Sequence, residues 1–146
     1  MTKINLERIK YISTSMQEVI RDLDEIVLIY DKQSDLIKKH LEQSFRTSFL
    51  QYKELLGNYM SQCLKKISLS VSQINYGEAI DICIKEGFLP EEEMIYYRTL
   101  SRFRNDTAHV YKKPPFKVLL SFYKDNREFL VNINKYINEM IKESNK

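Results

Sequence analysis

Ile9, Ile12, Met16, Val19, Leu23, Ile26 and Tyr30 follow one another in steps of three and four. Residues so spaced return to one face of an α-helix, so the pattern predicts a long first helix with an apolar stripe. Leu41, Phe45, Phe49, Tyr52, Leu56, Tyr59 and Cys63 repeat the spacing and predict a second helix ending near Ile67. The polar run DKQSD at 31–35 supplies the turn between them, where Ser34 or Asp35 has the short oxygen-bearing side chain that caps a helix start. Serine-rich SLSVSQIN (68–75) opens a connection to a shorter helix from about Tyr76 to Glu86. Gly87 suits the left-handed position after a helix, with Phe88 folding back as its apolar contact. Pro90 followed by Glu91, Glu92 and Glu93 marks the next start, because proline fits a first turn and carboxylates face the positive end of the helix dipole. That helix should run to about Tyr111 and stop before Pro114 and Pro115. A last helix, from about Phe116 to Glu143, carries Leu119, Tyr123, Leu130, Ile133, Ile137 and Met140. The expected fold is all-α: one domain over residues 1–146, an antiparallel up-and-down bundle of four main helices plus a short one.

Composition supports this and narrows the function. The chain has 146 residues with 43% hydrophobic content, enough for one core, and only three glycines and three prolines. A net charge of +3 is too small to announce a nucleic-acid binder, so any such reading must rest on local clustering. No apolar run approaches the roughly 20 residues that span a bilayer. The opening MTKINLERIKYIS lacks the apolar core of a secretory signal, so a cytoplasmic protein without a membrane partner is expected. Cys63 and Cys83 stand on predicted helices without metal-type spacing and read as buried reduced thiols.

Most of the remaining candidate chemistry has an ordinary explanation. Glu91, Glu92 and Glu93 read as a helix start, since adjacent carboxylates point in different directions around a helix. His40, after Lys38 and Lys39, reads as a solvated surface residue. The ten tyrosines are spread along the helical stripes, where most should be core or core-edge residues with a hydroxyl reaching water. KKPPF is a helix stop. No phosphate-cradling glycine loop, nucleophile elbow or zinc signature is present, so neither metal nor cofactor is expected.

One stretch resists such explanations: RFRNDTAHVYKKPP, residues 102–115. From Arg98 to Lys117 the cations are Arg98, Arg102, Arg104, Lys112, Lys113 and Lys117, against the single acid Asp106. Such a local excess attracts a polyanion even when the whole chain is nearly balanced. Asn105 and His109 stand four apart and share a helix face, so the amide can hydrogen-bond and orient the imidazole. Arg104 and Tyr111, seven apart, share a neighbouring edge. Arg104 and His109 lie about 140° apart on a regular helix, so one helix does not aim both at a single phosphate. Either the helix end distorts, or a second copy completes the site across a two-fold axis, the preferred reading. An ordinary salt-bridged helix end would carry the same residues.

Arg104-Asn105, three residues, then His109-Val110-Tyr111 resembles the signature of the HEPN superfamily, and most of all the HepT-like toxins and related nucleotidyltransferase substrate-binding proteins. The resemblance covers roughly residues 41 to 137. It includes the FxxxF-bearing SFRTSFLQYKELL and the segment NYGEAIDICIKEGFLPEEE, similar to the family's tyrosine-x-glutamate-alanine helix, glycine and "LP" helix start. Thr107 is a choice more typical of the substrate-binding branch. The resemblance implies an HEPN-like helical homodimer whose two motifs meet at the interface. It further implies metal-independent RNA cleavage, tRNA being one candidate substrate, and a partner minimal nucleotidyltransferase that acts as antitoxin by transferring AMP to Tyr111. His109 would serve as general acid or base at the ribose 2′-hydroxyl, Arg104 would stabilise charge on the phosphate, and Asn105 would orient histidine or substrate. Arg102, Lys112 and Lys113 would attract the RNA backbone. The alternative is a non-catalytic subunit that positions substrate for the nucleotidyltransferase.

Overall fold

A computed structural model of the chain describes residues 5–69, 73–91, 98–99 and 115–144. Four helices lie among them: α1 (Leu6–Ile29), α2 (Asp35–Lys66), α3 (Tyr76–Lys85) and α4 (Phe116–Ser144). No strand occurs among the described residues, and no described helix is long and apolar enough to cross a membrane. The helix expected from Pro90 to about Tyr111 lies outside them, except for its first residues and helical Arg98–Thr99.

The local signals act largely as the sequence suggests. Ser34 is the cap of α2, its hydroxyl accepting from the Ile37 amide at 3.4 Å, while Asp35 is already helical. Asn5 caps α1 by accepting from the Arg8 amide, and its own amide donates to Gln62 Oε1 at 3.0 Å, tying the start of α1 to α2. Asn75 caps α3 through the Glu78 amide at 2.8 Å. Gly87 has φ +80°, with its amide bonded to the Ile84 carbonyl and the Phe88 amide to that of Cys83, the paired bonds of a glycine-terminated helix. The end of α2 has the same geometry without a glycine. Ser68 takes φ +63°, its amide bonds the Lys65 carbonyl, and the Leu69 amide reaches Leu64. An L-residue in this region is strained by roughly 1–2 kcal/mol.

α1 packs along α2 and α4, and α3 lies against α2. The predicted α1 stripe from Ile9 to Ile26 is buried, and Leu119, Tyr123, Leu130, Ile133, Ile137 and Met140 meet it from α4. At one end the aromatic rings assemble. Phe116 stacks on Tyr30 at 4.9 Å, and Phe45 meets Phe116 and Tyr123 edge-on at 5.4 and 5.8 Å. α2 buries a broader face over its second half, where α3 as well as α1 covers it.

Polar groups fix the register of α1 against α4. Asn134 donates to the Ser13 carbonyl at 3.0 Å and accepts from Gln17 and Asn138 at 3.2 Å each, while the Ser13 hydroxyl donates to Asn138 at 2.6 Å. Sliding either helix by one turn would strand these buried groups, each costing about 1–3 kcal/mol unpaired. The three buried tyrosines among the described residues are exceptions to the expectation for most of the ten. Their hydroxyls bond protein rather than reach water: Tyr52 to the Leu130 carbonyl, Tyr59 to Phe88, and Tyr123 to Asp24.

Candidate functional site

Arg102, Arg104, Asn105, His109, Tyr111, Lys112 and Lys113 all lie outside the described residues, as do Glu92, Glu93 and Pro114. The structure does describe the two ends from which the segment departs. On the upstream side, Arg98 donates to Asp81 of α3 at 2.6 Å, both side chains about half exposed. One of the six cations in the 98–117 stretch is therefore matched by a carboxylate. Such an exposed pair contributes about 0–1 kcal/mol, so it orients more than it stabilises.

On the downstream side the chain re-enters the fold at Pro115. Its carbonyl accepts from the amides of Val118 and Leu119 at 3.0 and 3.2 Å, closing the first turn of α4. Phe116 is then buried between Tyr30 and Phe45. Pro115 thus leads into a helix start that is locked by an aromatic anchor. Lys117, next to that anchor, is exposed.

Elsewhere the described residues offer little reactive chemistry. His40 is exposed on α2, as expected of a solvated residue. Among the described residues no group of three or more histidine, cysteine or acidic side chains is placed to hold a metal ion. Cys63 and Cys83 are free and fully buried. The contact with Cys63, together with burial, pushes the Cys83 thiol far above its ordinary range, which suppresses the nucleophilic thiolate. Burial, with the two thiols nearby, likewise raises Tyr59 far above an ordinary phenol.

Two charged features were missed in the sequence. Lys53 is fully buried on α2, its ammonium 5.3 Å from the centre of the Phe49 ring. Its position four after Phe49 and three before Leu56 places it on the apolar stripe, a signal that was available. The other is a clasp between α1 and α4. Asp24 accepts from the Tyr123 hydroxyl at 2.6 Å and from Arg127 Nε and Nη2 at 2.9 and 2.8 Å. Partial burial pulls the Asp24 carboxyl upward, but the bonds from Arg127 and Tyr123 outweigh it and hold the group below the usual carboxylate range. This constellation is structural, for its donors are consumed in joining two helices.

Comparison with family models, with curated proteins and with solved structures finds no match to this chain.

Proposed function

We propose that the chain is an HEPN-type ribonuclease toxin that cleaves RNA without a metal and is silenced when a partner minimal nucleotidyltransferase transfers AMP to Tyr111. The observation that carries the reading is the string Arg104-Asn105-Asp106-Thr107-Ala108-His109-Val110-Tyr111 in its basic surroundings. The helical architecture supports it. So does the capped α3 with its glycine end, since that segment precedes the motif in the family pattern. The proposal includes an antiparallel HEPN-like bundle that acts in the cytoplasm as a homodimer.

In this mechanism the ribose 2′-hydroxyl attacks the adjacent phosphorus and the 5′-oxygen leaves. His109 of one copy removes the proton or supplies the one the leaving oxygen needs, and the second copy across a two-fold axis brings Arg104 to the same phosphate. Arg104 offers several fixed donors to the phosphate oxygens as charge builds on them. Asn105 holds the imidazole. The products are a 2′,3′-cyclic phosphate and a 5′-hydroxyl. In the silencing reaction the Tyr111 oxygen attacks the α-phosphorus of ATP and pyrophosphate leaves. The new group places bulk and negative charge two residues from His109, which blocks the groove and weakens its pull on RNA.

Incubating the purified chain with total RNA or tRNA and identifying the fragment ends tests this reading. Cyclic phosphate ends from the wild type, absent with His109→Ala, are expected. Thr107 favours one second reading, a subunit that presents substrate to the nucleotidyltransferase. That subunit would bind RNA or nucleotide in the same incubation and leave it uncut.

A further inference from the structure

α1 and α2 leave a groove on their outer side whose lining differs in character from the 98–117 stretch. Near the connection between them lies a concavity of about 490 Å³. Ile26, Ile29 and Leu41 form its apolar floor, with Ile29 41% exposed. On the α1 side it is walled by Asp22 and Glu25, and on the α2 side by neutral Ser44, Thr47 and Ser48. One more acid continues the wall. Glu18, Asp22 and Glu25 are spaced by four and three along α1, so they share one edge, and all are exposed. None of the three is ion-paired among the described residues.

We infer that this groove docks a cationic amphipathic helix of a different protein. An apolar floor between two helices suits the spaced anchors of a third, and the one-sided carboxylate wall selects a helix with lysine or arginine along one edge. A second copy paired two-fold through this face brings only another acidic edge and another neutral wall of Ser44, Thr47 and Ser48, so it offers these carboxylates no cation and is a poor occupant. RNA is excluded by the same carboxylates. The inference is independent of whether residues 102–113 cleave RNA.

The test uses the full chain, ¹⁵N-labelled, titrated with a synthetic leucine–lysine amphipathic helical peptide and with its leucine–glutamate counterpart. Expected are amide shifts at Ile26, Ile29, Leu41, Ser44 and Thr47 with the lysine peptide alone. Binding should weaken at least tenfold in the double variant Asp22→Lys, Glu25→Lys and also as salt is raised. Ile29→Ser, at an exposed position, should weaken it without unfolding the chain. Equal binding of the glutamate peptide, shifts elsewhere, or no shifts would overturn the inference. Movement of the same resonances with protein concentration alone would overturn it too, by making the groove a self-interface.

Discussion

Replacing Asp24 with alanine removes the acceptor on which Tyr123 and Arg127 converge, and the cost can be apportioned from the geometry. The Tyr123 ring is 1% exposed, and its hydroxyl gives a 2.6 Å bond to the carboxylate. A hydrogen bond to a charged group in such a place contributes about 1.5–3 kcal/mol. The Arg127 side chain is 47% exposed, so its paired bonds add only about 0.5–1 kcal/mol. Asp24→Ala should therefore destabilise the chain by about 2–3 kcal/mol, Tyr123→Phe by about 1.5–2, and Arg127→Ala by no more than about 1. Urea unfolding followed by circular dichroism measures each. In an Asp24→Ala background Tyr123→Phe should cost under about 0.5 kcal/mol, because the remaining Ile20 carbonyl is a weak acceptor at 3.4 Å. The clasp also has a pH signature. Asp24 titrates lower in the folded chain than in the unfolded one. Its contribution is thus complete above the unfolded carboxylate value of about 3.9 and is lost as pH falls through the folded value. The gap between wild type and Asp24→Ala should stay constant from about pH 6 to 8 and close below about pH 4. A Tyr123→Phe cost equal in both backgrounds, or a gap that persists in acid, would refute this reasoning.

Four further outcomes follow from the helix ends, the thiols and the motif. Ser68→Gly should stabilise the chain by about 0.5–1 kcal/mol in the same melts, since it relieves left-handed strain that exceeds the entropic cost of glycine. Gly87→Ala should destabilise by about 1 kcal/mol, because φ +80° is strained for any side chain. Cys63 and Cys83 should resist an aromatic disulfide reagent in the native chain and react at once in denaturant; fast native labelling of either would contradict their burial. On the proposed function, Tyr111→Phe should leave RNA cleavage largely intact and make the chain resistant to a partner nucleotidyltransferase, with mass spectrometry showing AMP on the wild type and none on the variant.

The parts legible in the sequence are those set by near neighbours. Apolar steps of three and four located α1, α2 and α4, because one face of each meets the shared core. Ser34 marked the start of α2 and Gly87 the end of α3, because capping and left-handed turns are decided within a few residues. What stayed hidden depends on partners far along the chain. Nothing near Asp24 points to Tyr123, and nothing near Ser13 points to Asn134 and Asn138. Ser68 broke the local rule by taking a position that glycine prefers. Leu36 and Ile37 look like core residues by type, yet they stay exposed. The candidate site was legible as residue types and spacing alone: on a regular helix Asn105 and His109 would share a face that Arg104 would not. How these groups meet in space is not a local property. The acidic edge of Glu18, Asp22 and Glu25 was visible as spacing, but the groove beside it is formed with α2 and could not be read from α1 alone.

The most direct test of a shared site is complementation between two inactive chains. Arg104→Ala and His109→Ala should each dimerise and each fail to cut tRNA. If Arg104 of one copy serves His109 of the other, mixed dimers regain one intact site, and random exchange restores about a quarter of wild-type cleavage. No recovery, with exchange of subunits verified by mass, would contradict a site built across the two-fold axis.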